Sequence, residues 1–136
     1  MSIELKSTGF LIDENITTDL KLIFFGETAE IRKRKDALDK VINKRVFESN
    51  VDTKKLFRLT NKLRVILEDC WDAQDEVMNI NRMCKADGKW YAQDYESIAK
   101  AAIRAQELNA QRNKIIREID TLLGESEFTQ LEKSYA

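Results

Sequence analysis

Residues 53–85 read TKKLFRLTNKLRVILEDCWDAQDEVMNINRMCK, and this stretch decides the fold class. Its apolar side chains recur at alternating steps of three and four positions. The series has nine members: Leu56, Leu59, Leu63, Ile66, Cys70, Ala73, Val77, Ile80 and Cys84. Strands alternate every second residue, whereas a heptad repeat is typical of helices that pack along one face. The spacing therefore predicts one long, coiled-coil-like helix over about 53–85.

The residues at both ends of this stretch agree with a helix. Asp52 is a suitable N-cap, because its carboxylate can accept a hydrogen bond from a backbone N–H of the first turn. Gly88 is suited to the left-handed turn that commonly ends a helix. A further helix is predicted over about 93–123, where apolar residues again recur at steps of three and four and Gly124 provides a stop.

The first third of the chain is less regular. An apolar face extends from about residue 10 to 48, but Gly26 interrupts it. We expect one helix over 10–48 with a weak point at Gly26, where glycine costs about 1 kcal/mol relative to alanine. The alternative is two helices, with Thr28 capping the second.

Three long helices joined by short connections predict an all-α fold. The helices, at about 10–48, 53–85 and 93–123, would form an elongated antiparallel up-down-up bundle in a single domain of residues 1–136. An N-terminal arm around Ile3 and Leu5 is expected to be short and extended. A C-terminal tail is expected to dock back through its apolar residues, which are Phe128, Leu131 and Tyr135.

The composition excludes several classes of function. The 136 residues contain no histidine, which excludes Ser-His-Asp and Cys-His catalysis and His-ligated zinc. The 2 cysteines are too few for a disulfide scaffold, and Cys70 and Cys84 are expected as buried thiols. Apolar runs are too short for a membrane span, so we expect a cytoplasmic protein without membrane contact.

Charge is balanced over the chain but segregated along it. There are 23 basic and 24 acidic residues. Residues 32–35 and 54–64 are predominantly basic, and an up-down-up fold brings them to one end of the bundle. Residues 68–76, here called the acidic segment, reverse the sign abruptly.

The basic residues after the first predicted turn suggest a polyanion-binding site. Lys54, Lys55 and Arg58 lie within two helical turns of each other and can contact phosphate groups. Phe47 and Phe57 lie nearby in the sequence and offer stacking surfaces for nucleic acid bases. The alternative is an ordinary solvated helix surface, in which neighbouring acids pair with these cations.

Two carboxylate pairs suggest a metal site. Glu27 and Glu30 are one helical turn apart, as are Asp69 and Asp72, a spacing that can hold Mg²⁺ together with water and phosphate. This arrangement resembles the metal site of the all-α nucleotide pyrophosphatases, and the resemblance implies a Mg²⁺-dependent nucleotide hydrolase. It covers these four residues, and about forty residues separate the pairs, more than is usual in that family.

We expect a non-enzymatic helical bundle that acts through protein–protein interaction. Without histidine, carboxylates are the only credible catalytic groups, and no glycine-rich phosphate loop is present. Residues 22–25 read Leu-Ile-Phe-Phe, which is more apolar surface than a single seam needs. The excess predicts a protein partner or a homo-oligomer such as a dimer, with no cofactor. The alternatives are the Mg²⁺-dependent hydrolase and nucleic acid binding at the basic end.

Overall fold

The computed structural model describes residues 2–125, and this part of the chain is all-α, without a strand. Phe128, Leu131 and Tyr135 of the predicted tail lie outside the described residues. The described elements are a short 3₁₀ helix, Ile3–Leu5, and four α-helices: α1 (Thr8–Phe25), α2 (Ala29–Ser49), α3 (Thr53–Asp87) and α4 (Ala92–Leu122). The all-α prediction is confirmed.

The prediction of one helix over 10–48 is wrong, and the two-helix alternative is confirmed. Gly26 has φ 85° and ψ 168°, a region open essentially to glycine alone, and it ends α1. The hydroxyl of Thr28 accepts a hydrogen bond from the N–H of Ile31 at 3.2 Å and so caps α2. The chain consequently has four α-helices where the periodicity predicts three.

The N-terminal arm also differs from the prediction of an extended segment. Ile3–Leu5 forms a 3₁₀ turn capped by the Ser2 side chain. Ser7 caps α1, because its hydroxyl accepts a hydrogen bond from the N–H of Phe10 at 3.3 Å. The arm packs on α2, where the Arg45 guanidinium donates to the carbonyl of Lys6 at 2.6 Å.

The prediction for α3 is confirmed along its length. All nine members of its heptad series are buried or half-buried. The carboxylate of Asp52 accepts hydrogen bonds from the N–H groups of Lys54 and Lys55 at 3.0 and 3.4 Å, as expected for the N-cap. Gly88 follows the helix with φ 66°. The α4 helix ends at Leu122, close to the predicted boundary.

The described chain divides into two compact units. The first contains residues 2–64 and 113–125, and the second contains residues 65–112. Both α3 and α4 contribute residues to each unit.

The first unit is built around an antiparallel α1–α2 hairpin. Arg34 contacts Glu14 and Arg45 contacts Lys6, so residue numbers rise along one helix as they fall along the other. The start of α3 and the end of α4 complete the unit. Its fully buried large side chains come from all four helices: Leu11, Leu38, Leu63, Ile116 and Ile119.

The second unit is a helical hairpin formed by residues 65–87 of α3 and 92–112 of α4. Its core contains Cys70, Ala73 and Leu108, and Ile66 and Ala105 pack against them. Two of the three central residues are small. No helix within residues 2–125 combines the length and apolar character needed to cross a membrane.

Candidate interaction site

The N-terminus of α1 is fixed in the first unit by carboxylates from the end of α4. The fully buried Asp120 accepts a hydrogen bond from the N–H of Gly9 at 2.7 Å. Glu125 accepts another from the N–H of Thr8 at 3.2 Å. These N–H groups have no partner within α1, and acids at a helix N-terminus also interact favourably with its dipole. The α1 terminus is therefore satisfied by the chain itself.

Glycine at position 9 allows α1 and α4 to approach closely. A Cβ atom there would lie 2.6 Å from Oδ1 of Asp120 and 2.7 Å from the carbonyl oxygen of Ile116. Both distances are shorter than van der Waals contact. Gly9 is therefore required by packing and does not mark a flexible position.

Glu14 joins α1 to α2 through an ionic contact. Its carboxylate accepts hydrogen bonds from Nε and Nη2 of Arg34 at 3.0 and 2.9 Å, and from Nζ of Lys6 at 3.2 Å. Burial acts to raise the pKa of Glu14, but these two cations outweigh it, and the pKa is lowered. Arg34, one of the basic residues of segment 32–35, therefore has a structural partner.

Lys35 is the centre of a second polar contact between α1 and α2. Its ammonium donates to Oδ1 of Asn15 at 2.7 Å and lies 3.2 Å from a carboxylate oxygen of Asp19. The amide of Asn15 in turn donates to Asp39 at 2.6 Å. Arg64 of α3 lies 3.3 Å from Asp19, so the same acid also joins α3 to the hairpin.

Beside these contacts, α1, α2 and the start of α3 enclose an open groove of about 610 Å³. We call it the α1–α2–α3 groove. Its apolar lining combines the three helices: Ile12, Ile16, Ile42, Val46 and Leu56. Its polar lining is mostly neutral, and its one carboxylate, Asp39, already interacts with Asn15 and Lys35. The groove thus presents an apolar floor without a free charge.

Phe47 lines this groove and is 88% exposed, the highest value among the large apolar side chains of the described chain. Lys44 and Lys40 lie three residues before Phe47 and Asn43, which places them beside the groove lining on the surface of α2. Both lysines are exposed and neither has an ion pair within residues 2–125. An exposed aromatic ring next to an open apolar groove is typical of a binding surface.

The structure brings together the residues predicted to bind a polyanion. Lys54, Lys55 and Arg58 are exposed on the first two turns of α3, and none forms an ion pair with another described residue. Arg58 lines two shallow depressions, of about 450 and 350 Å³, the first shared with Phe57 and the second with Lys62. The cations are therefore accessible, and their role as ligands for an anion stays a prediction.

The four carboxylates predicted to bind a metal belong to different units. Glu27 lies in the connection between α1 and α2, 3.6 Å from Arg32, and Glu30 is exposed in the first turn of α2. Asp69 and Asp72 lie on the part of α3 in the second unit. No three His, Cys, Asp or Glu side chains of residues 2–125 form a group that could hold a metal ion. The Mg²⁺ site stays a prediction without support from the described geometry.

In the second unit, Asp94 organises the connection between α3 and α4. Its carboxylate accepts a hydrogen bond from the N–H of Tyr91 at 2.9 Å and so caps α4. Burial raises the pKa of the Cys84 thiol, and the carboxylates of Asp94 and Asp87 raise it further. Cys84 therefore stays protonated at neutral pH, in agreement with the expected inert thiol.

Sequence reasoning did not identify Asp120 or the α1–α2–α3 groove. A signal for Asp120 exists, because it lies four residues after the buried Ile116 and therefore on the same face of α4. The groove leaves no comparable signal, since it results from the distances between three helices. Compared with known proteins, the chain matches no family model, and no curated protein or solved structure is significantly similar to it.

Proposed function

We propose that this chain is a non-enzymatic helical protein that acts through protein–protein interaction. The observation that carries the proposal is the open apolar groove with the exposed Phe47 beside its floor. Exposing a phenylalanine to water is unfavourable, and covering it with a partner recovers about 1.5–3 kcal/mol. A cytoplasmic location and self-association as a coiled-coil-like dimer belong to the same proposal.

The partner proposed for the groove is one amphipathic helix of another protein. A groove bounded by helices and floored by aliphatic side chains matches a partner helix that presents apolar residues at positions i, i+3, i+4 and i+7. The amide and hydroxyl groups of the lining, including those of Asn43 and Thr60, provide hydrogen bonds without requiring a charged ligand.

The charges around the groove specify the partner further. Lys40 and Lys44 flank it on α2, and Lys54 and Lys55 follow its lining residue Thr53 on α3. Charged groups at the rim of an interface contribute mainly to specificity and to the rate of association. The partner helix is therefore proposed to carry Asp or Glu beside its apolar stripe.

A designed peptide tests this proposal. A fluorescein-labelled amphipathic helix with Leu and Phe on one face and Glu beside them is titrated with the protein, and anisotropy reports binding. Phe47→Ala is expected to raise the Kd about tenfold, because 1.4 kcal/mol corresponds to a factor of ten. Since Phe47 is exposed, the substitution leaves the stability of the fold unchanged.

The matched control is Phe57→Ala, which removes another exposed phenylalanine that does not line the groove. This variant should bind the peptide like the wild type. A second peptide with Lys in place of Glu should bind more weakly than the first. Equal binding by wild type and Phe47→Ala, or no binding of either peptide, would contradict the proposal.

Polyanion binding is a second candidate, favoured by the exposed and unpaired Lys54, Lys55 and Arg58. Each phosphate contact releases counterions, so the affinity for a single-stranded oligonucleotide should fall steeply as salt rises. Replacing all three residues with Glu should abolish that binding. Binding that does not respond to salt or to these substitutions would exclude this candidate.

A further inference from the structure

One line of residues on α3 carries charges of opposite sign in its two halves. Because α3 is continuous from Thr53 to Asp87 and has about 3.6 residues per turn, their directions follow from helix geometry. Positions 11 and 7 residues before and after Val65 all lie within about 20° of its direction. They are Lys54, Arg58, Asp72 and Glu76, and with Val65 they form what we call the α3 stripe.

The stripe is accessible throughout. Its four charged side chains are exposed, and none has an ion pair or side-chain hydrogen bond within residues 2–125. Val65 in the middle is 57% exposed, although valine is usually buried. The stripe is about 33 Å long at a rise of about 1.5 Å per residue.

The charges of the stripe are reflected about Val65. Lys54 and Glu76 are each 11 positions from it, and Arg58 and Asp72 are each 7 positions from it. Lys62 and Asp69, to one side of the line, have nearly the same relationship. In an antiparallel pair of identical helices centred on Val65, every basic residue therefore faces an acidic one.

We propose that the α3 stripe binds the α3 stripe of a second copy of this chain in antiparallel orientation. A twofold interface requires that if residue i contacts residue j, then j contacts i. Lys54 then faces Glu76 of the second copy, Arg58 faces its Asp72, and the two Val65 side chains meet on the symmetry axis. Charge pairs of this kind set the partner and the orientation of paired helices.

A second copy explains the stripe better than a polyanion does. A polyanion requires only the basic half, and it would be repelled by Asp72 and Glu76, which lie on the same line. An antiparallel copy uses both halves and also covers Val65. The inference rests on the proposed interaction function and deepens it by naming one partner.

Charge reversal with exchange tests the orientation directly. One variant carries Lys54→Glu and Arg58→Glu, and the other carries Asp72→Lys and Glu76→Lys. Sedimentation velocity should show a dimer for the wild type in low-salt buffer. The dimer should dissociate near 1 M salt, where charges are screened beyond about 3 Å.

Each variant alone should be monomeric, because like charges then face each other twice across the twofold axis. An equimolar mixture of the two variants should form a heterodimer, since both sets of pairs are then opposite in sign. A chain with all four substitutions should also dimerise. A parallel pair would not be restored by mixing, so the mixture separates the two orientations.

Two control variants change the same number of charges elsewhere. Lys21→Glu with Lys33→Glu, and Glu48→Lys with Glu107→Lys, replace exposed residues that have no ion pairs in the described chain, and both should dimerise like the wild type. Circular dichroism checks folding. The Lys54→Glu change should keep α3 intact, because an acid in the first turn interacts favourably with the helix dipole.

Three outcomes would overturn the inference: a monomeric wild type, variants that remain dimeric alone, or a mixture that stays monomeric. A monomeric wild type that binds an oligonucleotide through Lys54 and Arg58 would assign the basic half to a polyanion. The groove can fail independently. Phe47→Ala should lose the peptide and keep the dimer, whereas charge reversal on the stripe should lose the dimer and keep a measurable peptide complex.

Discussion

At the scale of single residues, the first unit depends on the contact between Gly9 and Asp120. The Asp120 carboxylate is fully buried, and an unpaired buried charge is strongly unfavourable. Its hydrogen bond to the N–H of Gly9, at 2.7 Å, requires α1 and α4 to lie close together. The absence of a side chain at position 9 is what permits this distance.

We expect Gly9→Ala to destabilise the protein by about 2 kcal/mol or more, because the new Cβ overlaps the backbone of Ile116 and the buried carboxylate. Urea denaturation followed by circular dichroism measures the change. The control is Gly88→Ala, where a Cβ meets open space and only the positive φ of 66° is unfavourable. Gly88→Ala should cost about 1 kcal/mol. Equal losses for the two variants would contradict the close-packing explanation.

Glu14 is expected to make stability depend on acid pH. Its pKa is lowered in the folded state, so its contribution is present above the unfolded value of 4.5 and is lost as pH falls through the folded value. Glu14→Gln should therefore cost about 1 kcal/mol at pH 7 and almost nothing near pH 3. Denaturation of both proteins across this range measures the difference. A difference that did not vary with pH would show that the charge of Glu14 is not responsible.

At the scale of helices, Gly26 distinguishes the one-helix from the two-helix arrangement. In a continuous helix, alanine would stabilise by about 1 kcal/mol relative to glycine. With φ at 85° and ψ at 168°, we expect Gly26→Ala to destabilise by about 1–3 kcal/mol instead. The sign of the change in unfolding free energy decides between them. Thr28→Ala should cost about 1 kcal/mol and Thr28→Ser much less, because serine keeps the capping hydroxyl.

The same two residues show how far helices can be predicted from sequence. The α3 series could be predicted because nine positions repeat one local pattern, and the structure buries or half-buries each of them. At Gly26, local propensity is nearly balanced between continuing and ending a helix, and the cap at Thr28 together with the α1–α2 contacts favours ending it. The groove and the Gly9–Asp120 contact could not be predicted, because they depend on packing between residues distant in sequence.

At the scale of the whole molecule, the two units differ in the apolar volume that they bury. Every fully buried large side chain of residues 2–125 belongs to the first unit, as with Leu38 and Ile119. The core of the second unit is formed by Cys70, Ala73 and Leu108. Since the hydrophobic contribution scales with the apolar area buried, the second unit has less to stabilise it.

We therefore expect backbone amides of residues 65–112 to exchange hydrogen through openings of lower free energy than those around Leu38 and Ile119. Hydrogen-exchange mass spectrometry measures this difference in the full chain. Leu108→Ala removes the largest side chain of the smaller core and should accelerate exchange within residues 65–112. Exchange around Leu38 should change little, because that residue belongs to the first unit. If the wild type exchanged everywhere at one free energy and Leu108→Ala lowered it uniformly, the two units would unfold as one, and the difference between their cores would have no consequence for local stability.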